Sequence, residues 1–302
     1  MIILIYILTV VSARTESALG KYNGMRGGKA VGFNVSKSLL AAVFSLALVF
    51  LSGGIAFHGE TIVYSVFYGI FLSVSMVAGL KALSLGSMAI TSTVVSFSLV
   101  IPTLFGLLFL NETIGILGII AFLLLALSLL LLNYKKSSNP VSGECWFYSI
   151  LTMIMNGGCS VIQKLHQTAF PGEYSSEFMF FGMSSVFVFL SLVAIFDAVK
   201  NKSADKPRSA VFKWTSLLGA MAGTCNGLCN YLTLCLAATE NASVMFPILS
   251  AGNAVGSCLV GYLVFKERLT KLQFFSISLG IISVILLKIL KKRLKCKQKL
   301  AF

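Results

Sequence analysis

Read along its length, the chain is a succession of apolar runs broken by short polar stretches. A helix needs about 20 mostly apolar residues to cross a bilayer. Windows of that kind fall near 36–56, 61–82, 87–110, 114–133, 146–165, 178–198, 213–236, 242–265 and 272–290. The runs are continuous, whereas a barrel strand alternates apolar and polar residues over about ten positions. A helix also pairs its backbone N–H and C=O groups within its own segment, as lipid demands. The pattern predicts membrane-spanning helices, nine of them from these windows alone.

The opening segment, MIILIYILTVVSARTESALGK, decides whether there is a tenth. Val11-Ser12-Ala13 has the small residues of a signal-peptide cleavage site. No lysine or arginine precedes the apolar run, however. The segment also has an internal counterpart. ILTVVSARTESALGK, from Ile7, falls on ILTMIMNGGCSVIQK, from Ile150, with Lys21 meeting Lys164 at the end. The later copy lies well inside the chain. The opening stretch therefore reads as a first helix from Ile2 to about Lys21, not as a leader.

A second internal match lies at an offset of 155 residues. GLLFLNETIGIL carries Gly106 and Glu112, and GYLVFKERLTKL carries Gly261 and Glu267. At the same offset Ala82 meets Ala237, Leu104 meets Leu259, Leu117 meets Leu272 and Ser128 meets Ser283. The expected fold is an all-α membrane protein of about ten transmembrane helices. They form two five-helix repeats, residues 1–134 and 143–290, followed by a basic tail over 291–302. An odd number of helices per repeat inverts one half relative to the other. Many secondary transporters share this plan, with the substrate site near the bilayer midplane.

Composition narrows the function. Hydrophobic residues make up 57% of the chain and charged residues 11%, against about 25% charged in soluble domains. Mean hydropathy is +0.92. The net charge of +14 sits between spans and in the tail KKRLKCKQK, where lysine and arginine orient helices. No aromatic-basic interleaving accompanies it, so no nucleic-acid partner is expected. The seven cysteines imply no disulfide framework. Cys225 and Cys229 are one turn apart but have no histidine or carboxylate beside them, so they read as packing residues. No metal or other cofactor is expected. There is no G-x-x-x-x-G-K-[ST] phosphate loop, no paired carboxylates and no nucleophile motif. His58 and His166 are lone and read as lying in different loops. An enzyme is not expected.

Ionisable groups within spans are costly and mark function. Arg14 and Glu16 qualify, and being two apart they point to different faces of a helix. Arg14 suits a substrate carboxylate, and Glu16 a substrate amine or an exchanged proton. Asn226 and Asn230, four apart with Tyr231 beside them, form a polar face in AGTCNGLCNYL. Asn156 and Gln163 lie in the counterpart of the Arg14–Glu16 region, and Asn253 in the ninth span. These eight residues are the candidate substrate contacts. Lys37 and Lys164, at span ends, read as headgroup-level anchors. Glu112 and Glu267 read as caps for the helices that follow them.

The two five-helix halves, the segment LKALSLGSMA with its counterpart LCLAATENAS, and the glutamates of FLNETI and FKERLT resemble the drug/metabolite transporter superfamily, in its EamA-like ten-helix branch. The resemblance covers nearly the whole chain. It implies a multi-pass protein of the cell membrane that moves amino acids, other metabolites or drugs by alternating access. Proton or ion coupling and oligomeric state are left open. Small multidrug-resistance relatives use a first-helix glutamate for substrate, which Glu16 matches in element only. The alternative reading is a non-transporting multi-pass protein, lipid-handling or receptor-like.

Overall fold

The computed structural model describes residues 2–85, 88–112, 116–133, 142–200, 209–266 and 270–300. Glu267 lies outside the described residues. The described residues form α1 (Ile2–Met25), α2 (Ala30–Leu51), α3 (Gly59–Leu85), α4 (Met88–Ser96), α5 (Val100–Phe109), α6 (Ile116–Asn133), α7 (Gly143–Ala169), α8 (Ser175–Lys200), α9 (Ser209–Thr239), α10 (Ala242–Leu263) and α11 (Lys271–Leu300). No strand occurs among them. Among the described residues, seven segments are long and apolar enough to cross a membrane: α1, α2, α3, the α4–α5 run Thr91–Phe109, α7, Ser175–Asp197 of α8, and α10. α6 and α11 hold shorter apolar stretches, Gly118–Leu132 and Lys271–Ser283.

Local chemistry explains the breaks. The 3-10 turn Phe97–Leu99 separates α4 from α5. Pro102, in the first turn of α5, has no N–H to give, and its ring crowds the carbonyl four residues back, at Ser98. α2 ends because Gly53 adopts a left-handed φ of 107°. The Gly53 and Gly54 N–H groups then close on the carbonyls of Phe50 and Val49, the Schellman arrangement that satisfies the last turn.

The packing is small inside and bulky outside. In α2 the buried positions include Ser38, Ala41, Ala42 and Ser45, while Leu39, Val43, Phe50 and Leu51 are exposed. Helix association in lipid relies on such close approach of small residues, since lipid already solvates leucine.

The chain divides into two compact units, each drawing on both halves of the sequence. Unit 1 is Met1–Met76 with Ile162–Thr239, and unit 2 is Val77–Val161 with Glu240–Phe302. In unit 1, α2 packs on both α8 and α9, and α1 packs on α9. Glycines make the closest crossings. A Cβ on Gly223 of α9 would collide with the Lys37 carbonyl of α2 and stand 2.8 Å from Leu40 Cβ and 3.1 Å from the Ala41 nitrogen. A Cβ on Gly69 of α3 would stand 2.9 Å from the Gly182 carbonyl of α8, 2.6 Å from Ser185 Cβ and 3.4 Å from the Val186 nitrogen. Both crossings present the same three atoms, spaced i, i+3, i+4, to the glycine.

In unit 2, α6 packs along α11, and α10 packs on α5 and α11. Ser128 Oγ donates to the Ser276 carbonyl (2.7 Å), and Ser283 Oγ donates to the Ala121 carbonyl (2.6 Å). Glu112 corrects the expectation that it caps the helix following it. Its two carboxylate oxygens each accept a backbone N–H at 2.8 Å, from Ala242 and Ser243. It therefore caps α10, the helix starting at Ala242, from 130 residues away.

Candidate functional site

The polar centre of unit 1 is built on α1, α2 and α9. Glu16 sits in the second half of α1. Its Oε1 accepts a 2.8 Å bond from Lys37 Nζ of α2, and its Oε2 accepts a 2.9 Å bond from Asn226 Nδ2 of α9. The pair is substantially buried, with side-chain exposures of 8% for Lys37 and 19% for Glu16. Arg14, half-buried, interacts electrostatically with Glu16 and faces Cys229. Charge-assisted bonds at this length, shielded from water, are the strong kind.

The network continues along α9. Asn230 Nδ2 donates to the Asn226 carbonyl (2.9 Å), and its Oδ1 accepts from the Tyr68 hydroxyl of α3 (3.0 Å). Two turns further on, the Ala237 carbonyl accepts from Lys164 Nζ of α7 (2.9 Å). Positions 226, 230 and 237 fall within about 40° of one another around a helix. One face of α9 thus carries a polar strip that ties α1, α2, α3 and α7 to it. From Asn226 to Ala237 it runs about 16 Å.

Beyond Tyr68 lies an aromatic end. The Tyr68 ring packs against Phe178 (5.3 Å between centroids), and Phe178 against His166 (4.6 Å). α7 runs on to Ala169, so His166 is helical and not in a loop. It reaches Thr61 Oγ1 through Nε2 (3.2 Å), while His58 Nδ1 lies 3.5 Å from the same hydroxyl. The two histidines expected to be isolated therefore meet at one threonine. His58 also stacks on Tyr174 at 5.0 Å.

The predicted site residues divide between the units. Arg14, Glu16, Asn226 and Asn230 come together in unit 1. Gln163 is also in unit 1, only 4% exposed, and its Nε2 is buried with no hydrogen-bond partner among the described residues. Tyr231 is half-buried and interacts with Cys235 of the next turn. Asn156 and Asn253 belong to unit 2. Asn156 Nδ2 donates to Ser98 Oγ (2.9 Å) in the 3-10 break, and Asn253 Oδ1 is buried with no partner among the described residues.

Sequence reasoning missed Lys37 and Lys164 as parts of the site. Neither is a headgroup anchor: both are buried and bonded to protein, to Glu16 and to the Ala237 carbonyl. The available signal was helix extent. α2 starts at Ala30 and α7 ends at Ala169, which puts both lysines inside helices and not at their ends. No group of three or more histidine, cysteine or carboxylate residues able to hold a metal occurs among the described residues.

Seven apolar candidate spans among the described residues mark a multi-pass membrane protein. The profile of the family described as "Sugar transport protein" matches residues 18–292. The chain belongs to that family of membrane transporters. No curated protein matches it. Its fold is similar to that of a solved structure titled "Crystal structure of protein". The TM-score is 0.76 at 13% identity, over 96% of this chain and 97% of that one.

Proposed function

We propose that this protein is a secondary active transporter of small organic solutes, sugars and related polyhydroxylated compounds first among them. It works by alternating access between two inverted five-helix repeats of the EamA-like, drug/metabolite transporter kind. The observation that carries the reading is the Arg14–Glu16–Lys37–Asn226 network. Charged groups in membrane-spanning helices are expensive and mark solute or ion pathways, and this network lies in a chain of a transporter family. The family's description favours sugars over amino acids and drugs.

Two observations support the repeats, residues 1–134 and 143–290. Ser128 and Ser283 are counterparts at the 155-residue offset, and so are Ala121 and Ser276. The hydrogen bonds Ser128 to Ser276 and Ser283 to Ala121 are therefore one bond made twice, as a two-fold relation between α6 and α11 requires. In unit 1 the Gly69 crossing of α3 on α8 repeats the Gly223 crossing of α9 on α2, atom for atom. Lys37 then corresponds to Gly182, so the ion pair belongs to one half only.

Among the candidate contacts, Arg14, Gln163, Asn230 and Tyr231 are proposed to meet solute in unit 1. Asn226 and Glu16 hold the network, and Asn156 and Asn253 are proposed as solute contacts of unit 2. The test is counterflow in proteoliposomes with a panel of labelled sugars, amino acids and cationic drugs. Exchange of at least one sugar-type solute, reduced tenfold or more by Asn230→Ala in correctly inserted protein, is the expected result. No exchange across the panel would overturn the reading in favour of a non-transporting membrane protein.

A further inference from the structure

The two ends of unit 1 differ in charge. At one end α1 closes and α2 and α9 begin, with Arg26 and Trp214 meeting across them. α8 closes there too, because its start meets the far end of α2 through Ser176 and Ser52. Lys21, Arg26, Lys29 and Lys213 are exposed at this end, against Asp197. The sequence joining α8 to α9 carries Lys202, Lys206 and Arg208 against Asp205. At the opposite end α2 and α7 close and α3 and α8 begin, linked by the Ser52–Ser176 and Thr61–His166 contacts. Glu60 and Glu173 are exposed there and Glu177 is buried. Glu240 directly follows α9, which runs towards the same end. No lysine or arginine occurs from Ser38 to Leu80 or from Leu165 to Val199. Lys164 of α7 is buried and bonded to the Ala237 carbonyl, so it is not offered at the surface. The basic tail of α11 belongs to unit 2. Along α2 the two ends stand about 30 Å apart, close to the thickness of a hydrocarbon core.

The basic end also carries interfacial aromatics. The Arg26 guanidinium carbon lies 4.8 Å from the centre of the Tyr22 ring and 5.3 Å from that of Trp214. Tyr22 is 37% exposed and Trp214 48%. Tyrosine and tryptophan concentrate at the headgroup level of a bilayer. Two ring faces hold the guanidinium by cation–π attraction and leave its N–H donors unused. Arg26, Lys29 and Lys213 make no ion pair among the described residues. A held guanidinium presents a fork of donors that fits two oxygens of a phosphate, and ammonium groups beside it add charge. The anionic lipids of the cytoplasmic leaflet attract such clusters, and lysine and arginine in short loops set that side as the inner one.

We propose that Arg26, Lys29 and Lys213, with Tyr22 and Trp214, bind the phosphate headgroups of anionic phospholipids, and that this end of unit 1 is the cytoplasmic face. The end with His58, Glu60 and Glu173 then faces outward. The inference rests on the membrane-spanning character of the chain and is independent of the solute it moves.

Two measurements on the full chain test it. The first is labelling with a membrane-impermeant maleimide in intact cells, scored above the parent protein with its own cysteines. Ala30→Cys marks the basic end and Gly59→Cys the acidic end; both positions are exposed, and Gly59 has open space for a side chain. Gly59→Cys is expected to label in intact cells, and Ala30→Cys only after the membrane is permeabilised. The reverse pattern would overturn the assignment of the cytoplasmic face. The second is thermal unfolding of the purified protein with added phosphatidylglycerol, phosphatidylcholine or inorganic phosphate. A ligand of the folded state raises the unfolding midpoint. Phosphatidylglycerol is expected to raise it well above the other two, and the rise should shrink as salt screens the charges. The combined change Arg26→Gln, Lys29→Gln and Lys213→Gln should abolish that rise. Equal stabilisation by the two lipids, or a rise that survives the triple change, would overturn the headgroup site, and so would an equal rise with inorganic phosphate. The comparison of lipids on the parent protein stands even if the triple variant folds poorly.

Discussion

Glu16 is the residue on which three helices depend, because both of its oxygens are used and by different partners. Replacing it with glutamine removes the charge and keeps the shape. Lys37 would then be a buried ammonium without a counter-charge, and breaking a buried pair in this way costs about 3–5 kcal/mol. Glu16→Gln should therefore lower the unfolding midpoint of the purified protein markedly. Adding Lys37→Met removes the stranded charge and should recover most of that stability, since an apolar pair of similar volume is often neutral or better. Thermal unfolding of the two variants checks this, and counterflow on the double variant separates the roles. If transport stays lost when stability returns, the pair acts in the cycle; if it returns too, the pair is structural. Sequence alone located Arg14 and Glu16 because a charge inside an apolar run stands out by itself. It did not locate Lys37, which is 21 residues from Glu16, or foresee that Asn226 bonds Glu16 from 210 residues away. Hydropathy reports how apolar a window is, not which helix faces which.

At the scale of helices, close approach and capping hold the units. Gly223 lies where α9 presses on α2, and a methyl there meets backbone, which cannot move aside as a side chain would. Gly223→Ala should cost about 1–3 kcal/mol through overpacking. Gly24, near the end of α1, has open space around it, so Gly24→Ala should be neutral or gain up to about 1 kcal/mol from helix preference. Unfolding midpoints of the two variants, measured together, separate local packing from a general effect of adding a methyl. Glu112 acts between elements distant in sequence. Glu112→Ala leaves the Ala242 and Ser243 N–H groups without their acceptor and should cost about 0.5–2 kcal/mol, with exchange protection lost first at the start of α10. The periodic part of this architecture, helices over apolar windows, was legible in the chain. The partner of Glu112 was not, because a cap normally serves the adjacent helix and here the fold brings a remote one to it.

At the scale of the whole chain, the number of crossings decides which functional readings survive. Among the described residues, seven segments meet the length and composition expected of a span. An odd count of seven would place the two ends of the chain on opposite sides of the membrane. The repeat reading adds α6, α9 and α11. α6 and α11 contribute the apolar stretches Gly118–Leu132 and Lys271–Ser283, and they are held together by the reciprocal serine bonds. α9 is 31 residues long, and its lower hydropathy has a physical cause: its polar face, with Asn226 and Asn230, bonds other helices and is not offered to lipid. Amides turned toward neighbouring helices lower a helix's mean hydropathy without meeting lipid. Ten crossings put both ends on one side. Reporters fused to each end, one active only in the cytoplasm and one only outside it, should therefore give the same answer at both. Opposite answers would leave an odd number of crossings, and two inverted five-helix repeats would be excluded whatever solute the protein binds.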